Sequence, residues 1–450
     1  MQGARAADAR GYKAVQSPYS PLKPLLYSPP LLPQSALINS LPIDNPLIGE
    51  IQAYVESFVQ LLNPSPAQEL QLKQNNSVLW NNLRINAQRA AGMMIYNRAS
   101  LLPAVDETES KERQVERQRR GEISLITLQT DVLRLVNASR RSSVQDSLRC
   151  MRYALNTLSY VGYLSVPHRV LVAYNTKGVA AASSAYPVPS RTKSANIFAG
   201  STERGLRLDV PPSLIGRATV ALEFRKGGGK GKDRDRDRDR DRDKAKRTSV
   251  VRLVVDGIYH PLTGGNFVDL CKRGYYDNTP VESGLLDLDG AGTLTLPRTL
   301  VARRDEKGNV KTYTNPATGL ERRIPLEVLR EDPDPEKGRT TFIGTARNAA
   351  VFTKASPVSS FATYGAVGMF HPRGDGNGAS IGFFVLPPDP ALSVIERDAL
   401  PAFQRLENRY SLFAYCIDGN DVLQQLTDGD VLASCRVEPG MWDLLPPKQG

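Results

Sequence analysis

Few side chains in this 450-residue chain have the types and spacing that covalent or metal chemistry requires. The histidines, His168, His260 and His371, are scattered, and none stands in a motif with a Ser or Cys partner. No nucleophile and base pair is therefore readable, and His371 reads as a surface histidine. Cys150, Cys271, Cys416 and Cys435 show neither CxxC spacing nor a histidine cluster, so no zinc site, redox motif or other cofactor is expected. Cys416 and Cys435 lie in two consecutive strand-like segments and would pair in an oxidising compartment; buried free thiols are the alternative in such apolar surroundings. What remains is aromatic and cationic: Phe383-Phe384, Met369-Phe370-His371, Leu406 to Tyr410, and the arginines at 298, 303 and 304.

The elements that must position these residues follow from hydrophobic period. Residues 1–44 hold a Pro- and Ser-rich stretch that predicts an extended lead-in. From Asp44-Asn45-Pro46 the pattern becomes helical, with Ile48, Ile51, Val55, Phe58 and Leu62 three and four apart. A second helix is expected over 66–101, on Leu72, Leu79, Leu83, Ala87, Ala90 and Met94, and is closed by Pro103. A third begins in the charged 109–120 segment and continues through Ile123, Ile126, Leu133 and Val136. The fourth carries Val144, Leu148, Met151, Leu155 and Leu158. Short links between them imply an up-and-down four-helix bundle over 45–162.

Residues 163–216 lose that period and read as a linker. Alternation then signals strands at 217–224 and 249–256. His260-Pro261-Leu262-Thr263 starts a helix with Phe267 and Leu270 inward, and Gly274 ends it before an aromatic segment, Tyr275-Tyr276. A short helix is expected at Val422 to Leu426. The fold class is thus α+β and multidomain: a helical bundle, then a β-barrel over 217–440, then a tail at 441–450.

The formal charge of +11 suggests nucleic acid until it is located. Residues 230–247 hold ten basic residues and six aspartates, mostly as Asp-Arg dipeptides, with no aromatic platform among them. Stacking surfaces normally accompany the cations of a single-strand groove, so no nucleic-acid partner is expected. The tract reads as a solvated insertion at the tip of a hairpin over 227–247, with docking to an acidic partner as the other reading. No apolar run approaches a bilayer span. Met1 to Val15 contains no apolar core and no twin arginine, so it is not a complete secretory signal; its Ala and Arg content suits the remnant of an organellar transit peptide.

The Pro261-x-Thr263-x-x-Asn266-Phe267 helix, the Tyr275-Tyr276-Asp277 strand, the Phe383-Phe384 pair, Arg409 to Phe413 and the late helix occur in cyclophilin order. The segment 217–440 therefore resembles a cyclophilin-type peptidyl-prolyl isomerase, which implies an eight-stranded barrel. With Leu41 to Asn45, the 212–218 approach to the barrel and Ile324-Pro325-Leu326-Glu327 included, the chain resembles the multidomain cyclophilins of the chloroplast thylakoid lumen. That resemblance implies a lumenal location and a protein partner such as a photosystem subunit or assembly intermediate.

Isomerisation must overcome a barrier of about 18–20 kcal/mol, and a donor to the prolyl nitrogen helps as the amide loses planarity. In the family an arginine is that donor. Its position falls on Ser283, and the glutamine of the opposite wall falls on Gly382, so no catalytic residue is assigned. The resemblance implies a surviving substrate groove at Met369, Phe370, His371, Phe384, Leu406 and Tyr410; for Met369, Phe384 and Leu406, ordinary barrel core is the competing reading. Phe370, in place of a small residue, would partly fill the proline pocket. Three functions follow: a degenerate isomerase that binds and scaffolds a photosynthetic membrane complex, a working isomerase, or an interaction module docking through the Pro-rich arm or the Asp-Arg loop.

Overall fold

The computed structural model describes residues 13–14, 32–62, 64–75, 77–185, 209–227, 248–287, 295–331, 339–343, 361, 363–372, 375–386, 406 and 409–446. The chain forms two compact units, residues 1–16 with 34–170 and residues 17–33 with 171–450.

The first unit is helical. Its elements are α1 (Pro33–Asn39), α2 (Pro46–Glu56) followed by a 3-10 turn (Ser57–Leu61), α3 (Pro66–Leu72), α4 (Val78–Tyr96), α5 (Arg98–Leu101), α6 (Lys111–Arg140) and α7 (Val144–Ser165). α2 starts as expected: the Asn45 side chain accepts from the Leu47 and Ile48 N–H groups, and Pro46 occupies the first turn. α2 packs on α4 and α7, and α6 packs on the same two helices.

Three expectations need correction. The lead-in is not extended throughout, because Pro33 opens α1 and Leu37 is buried. The single helix over 66–101 is three: Ser65 and Gln68 close a capping box on α3, and Ser77 caps α4 afresh through the Trp80 N–H. On α6 the inward stripe is Leu125, Leu128, Val132 and Leu135, whereas Ile123, Ile126 and Leu133 are about half exposed. Apolar residues lie on both sides of that helix, so periodicity alone did not choose the buried one. The four expected helices belong to a larger helical set.

The linker expectation also fails in part, since α8 (His168–Ala185) occupies its first half. From Leu171 onward the chain belongs to the second unit, where the Asn175 amide donates to the Leu214 carbonyl at 2.8 Å.

That unit is built on a closed eight-stranded barrel. Counting the short pair β1 (Lys13–Ala14) and β2 (Ile43–Asp44) in the first unit, the next strands are β3 (Ser213–Ile215), β4 (Arg217–Arg225) and β5 (Thr248–Asp256). Then come β6 (Thr279–Asp287), β7 (Thr295–Val301), the short pair β8 (Tyr313–Thr314) and β9 (Glu321–Arg322), and the pair β10 (Glu327–Glu331) and β11 (Arg339–Ile343). The chain ends in β12 (Ala366–Met369), β13 (Phe383–Val385), β14 (Leu412–Asp418), β15 (Val431–Val437) and β16 (Asp443–Leu445). The barrel closes in the order β12-β13-β7-β6-β15-β4-β5-β14. β4 and β5 pair without a break from Arg217 with Asp256 to Arg225 with Thr248, so the charged tract does join the two ends of one hairpin. Residues 228–247 of that tract lie outside the described residues, as do 15–31 of the Pro-rich arm. β16 pairs with β3, which carries the unit past the expected boundary at 440.

Alternation fills the barrel. Phe267 of α9 (Pro261–Lys272) plugs the interior against Tyr276, Phe383 and Phe413, at ring distances of 5.1–5.3 Å. The late helix α10 (Asn420–Gln424) adds Leu423 to this core. Of the two cysteine readings, the buried free thiol holds for Cys416, as for Cys150, whereas Cys435 bonds not Cys416 but Cys271, tying α9 to β15. Cys271 sits at the inner end of α9, a helix–strand contact that spacing along the chain does not show. No helix among the described residues is long and apolar enough to cross a membrane.

Candidate functional site

The expected groove residues lie largely on the outer face of the strands that line the core, where Phe384 is itself fully buried. On β13, Phe383 points inward and pairs with Val301, whereas Phe384 points outward and pairs with Leu300 on one side and Gly368 on the other. Phe384 is held flat over Gly368, where an added Cβ would come within 2.3 Å of the ring. Two side chains from the opposite side of the barrel fix the approach to β13. The Asn266 amide donates to the Ser380 carbonyl at 2.7 Å, and the Tyr276 hydroxyl donates to the Ile381 carbonyl at 3.0 Å. The residues between β7 and β10 grip the same stretch, through Tyr313 N–H to Ser380 Oγ at 2.9 Å and Ile324 N–H to the Ala379 carbonyl at 2.7 Å.

Four of the six expected groove residues assemble. Tyr410 meets Phe384 edge-on at 5.1 Å and stacks on His371 at 4.4 Å. The Leu406 carbonyl accepts the Arg409 and Tyr410 N–H groups, which turns Tyr410 toward this cluster. Leu406 itself is buried. Phe361, which the sequence offered no reason to single out, stacks behind Phe384 at 6.0 Å. The two remaining residues differ. Met369 pairs with Phe383 and packs in the barrel interior, so for it the core reading holds. Phe370 is partly exposed and lies against Gly382, with its N–H donating to the Gly382 carbonyl at 2.8 Å.

His371 is not poised as a base. Its Nδ1 lies 2.9 Å from the Pro372 carbonyl and its Nε2 lies 2.7 Å from the Arg409 carbonyl. Both ring nitrogens face carbonyl oxygens; a neutral ring donates to one of them and a protonated ring to both.

Ser283 and Gly382, where the resemblance would put the catalytic arginine and glutamine, are each in a defined setting. Ser283 pairs with Thr299, and its N–H and hydroxyl both donate to Asp428, at 2.7 and 3.1 Å. The neighbouring Glu282, across from Leu300, is the β6 residue that shares the outer face with Phe384. Glu282 is held by a bidentate ion pair with Arg304, both bonds at 2.6 Å. A Cβ at Gly382 would lie 3.2 Å from Val310 and 3.3 Å from Phe370, so a glutamine there would have to displace both. A side chain at 382 and the Phe370 ring therefore compete for the same space.

Arginines 298, 303 and 304 are distributed differently. Arg303 donates to the Asp277 carbonyl at 2.7 Å and lies over the Tyr275 ring, and Arg304 is committed to Glu282. Arg298 is a strand residue, on β7 opposite Gly284 and two residues from Leu300. That spacing puts it on the outer face with Phe384. Its Nε and Nη1 are buried and have no hydrogen-bond partner among the described residues. Burial holds its guanidinium below the usual arginine value, against the opposing pull of Glu282, Tyr410 and Asp428.

Beneath the groove, the N-terminus of α9 carries two buried titratable groups. Glu327 accepts the Leu262 and Thr263 N–H groups at 3.2 and 2.7 Å, yet burial pushes it up to about 7. His260, at the cap position, is pushed down to about 4 by burial, with Asp256 opposing.

A closed eight-stranded barrel plugged by α9, with an aromatic cluster of Phe361, Phe384, His371 and Tyr410 on its outer wall, defines a cyclophilin-like domain. Residues 247–440 match the family model of the cyclophilin type peptidyl-prolyl cis-trans isomerases, so this segment is a cyclophilin-type domain. A protein of Synechocystis sp. named as a thylakoid lumen peptidyl-prolyl cis-trans isomerase, sll0408, is 30% identical over 236 residues, 52% of this chain and 50% of that protein. The chloroplastic isomerase CYP38 of Arabidopsis thaliana is 29% identical over 198 residues, 44% of this chain and 40% of that protein. CYP37 of the same plant is 28% identical over 239 residues, 53% and 43% of the two chains. The matches thus span half or less of each relative's length.

Proposed function

We propose that the chain is a degenerate cyclophilin of the chloroplast thylakoid lumen that binds X-Pro segments of a protein partner and scaffolds a photosynthetic membrane complex, with little isomerase turnover. One observation carries the reading. The aromatic cluster of Phe384, Tyr410 and His371 is assembled, while Ser283 and Gly382 stand where the resemblance would put the catalytic arginine and glutamine, and a side chain at 382 would press on Val310 and Phe370. Recognition of an extended proline peptide needs the aromatic floor; turnover also needs a donor at the prolyl nitrogen as the amide twists. The names of the relatives support the lumen, and the partner as a photosystem subunit or assembly intermediate follows from that location.

The test is two-dimensional exchange spectroscopy on an Ala-Pro peptide with the full chain. Peptide resonances that shift while the cis-trans exchange rate stays near its uncatalysed value support the reading. Acceleration comparable to an ordinary cyclophilin would show a working isomerase instead.

A further inference from the structure

The long helix α6 carries two apolar stripes. Leu125, Leu128, Val132 and Leu135 are buried in the helical unit. Nearly opposite them, Ile123, Ile126, Thr130 and Leu133 repeat at alternating steps of three and four residues, and the three aliphatic side chains are 51–53% exposed. Single exposed aliphatic residues are ordinary, but this spacing is that of the seam between two packed helices. Thr130 suits a dry seam, because its hydroxyl already donates to the Ile126 carbonyl at 2.9 Å; the adjoining Thr127 donates likewise to Ile123. The stripe is narrow. Glu122, paired with Arg98, bounds it on one side, and Arg134, paired with Asp131, bounds it on the side where Asp131 accepts the Thr157 hydroxyl of α7. A seam of that width takes one helix, whereas the apolar face of a membrane-surface helix is broader.

The charges beside the seam decide which helix it fits. Around its second half, on the α7 side, stand Arg134, Arg141 and Arg149, with side chains 64–67% exposed. The carboxylates that pair with them are withdrawn: Asp131 is 7% exposed, and Asp146, at 34%, accepts from both Arg141 and Arg149. Arg140 is exposed at the same end, so four arginines face two aspartates and the end is positive. A second copy of the chain is a poor occupant. Two α6 helices laid antiparallel on this seam bring the arginine side of one against the arginine side of the other, and laid parallel they set Arg119 against its own copy. We propose that the outer stripe of α6 is a docking seam for an amphipathic α-helix of another protein, whose apolar residues meet Ile123, Ile126 and Leu133 and whose flank toward α7 is acidic. This surface is on the helical unit and goes beyond the peptide-binding reading of the barrel.

Fluorescence anisotropy of labelled peptides titrated with the full chain tests this. Two peptides of about 28 residues, long enough to form a helix alone, share Ile and Leu at the seam positions and carry either Glu or Lys on the flanks. The Glu peptide should bind, and the Lys peptide at least about tenfold more weakly, with the difference shrinking at high salt. Ile126→Asp should weaken the Glu peptide at least about tenfold by setting a charge in an apolar contact, with a melting temperature little changed because the residue is exposed. Arg134→Glu should shift preference toward the Lys peptide. If Ile126→Asp does not fold, Leu133→Asn carries the test. Equal binding of the two peptides, no binding of the Glu peptide at about 100 μM, or binding unaffected by Ile126→Asp would overturn the proposal. Sedimentation of the chain as a dimer that Ile126→Asp dissociates would assign the stripe to a second copy instead, and co-sedimentation with phosphatidylglycerol vesicles that is lost in this variant would assign it to a bilayer.

Discussion

The inner and outer faces of β13 differ in what surrounds them, although their residues are neighbours in sequence. Inward, Phe383 meets Phe267 and Tyr276 at 5.1 and 5.4 Å, edge to face, in a core that also holds the Cys271–Cys435 bond. Outward, Phe384 is buried in an aromatic cluster whose surroundings include Gly382 against Phe370, a histidine between two carbonyls and an arginine with two buried, unpartnered nitrogens. The barrel depends on the first face alone. Chemistry depends on the second, so the second can change while the fold stays.

The comparison breaks most visibly at Phe267. Truncation to Ala should cost about 3–5 kcal/mol in denaturant unfolding, since the ring touches three aromatic partners. A loss under about 1 kcal/mol would mean the interior is not the determinant described.

The titrating pair at α9 gives the next largest effect. Glu327, raised from 4.5 to about 7, keeps a proton in the folded state that the unfolded chain releases; its contribution is present below pH 4.5 and is lost as pH rises through 7. His260, lowered from 6.5 to about 4, works the other way; its contribution is present above pH 6.5 and is lost as pH falls through 4. Each amounts to about 3 kcal/mol at most, and in the wild type the slopes oppose. Unfolding followed against pH should show stability rising from pH 4 to 6.5 in Glu327→Gln, and falling from pH 4.5 to 7 in His260→Asn. Parallel profiles for the two variants would contradict this.

How much of this was readable beforehand follows the same division. The inward residues Phe267, Leu270 and Tyr276 were legible because alternation and helix period report burial. On α6 the same signal misled, because apolar Ile123 and Ile126 face out while Leu125 and Leu128 face in. Met369 looked like a groove residue by its place in a motif, and cross-strand pairing with Phe383 put it inside. The sequence placed Arg298 in no element; the β6–β7 register sets it on the face of Phe384. The Cys271–Cys435 bond spans 164 residues, a contact that no local spacing reveals.

Smaller effects sharpen the outer face. Gly382→Gln should cost about 1–3 kcal/mol by overpacking against Phe370 and Val310, and should not raise the exchange rate of a proline peptide. A gain in turnover would show that the pocket opens readily. Phe384→Leu should lose only about 1–2 kcal/mol of stability yet abolish detectable peptide binding, because the aromatic floor is removed. Unchanged affinity in a titration would place recognition elsewhere.

The most direct measurement is chemical-shift mapping of the full chain with an Ala-Pro peptide. The account predicts perturbations clustered at Arg298, His371, Phe384 and Tyr410, with the interior signals of Phe267 and Phe383 little changed. Perturbations confined to the helical unit, or none at saturating peptide, would contradict it.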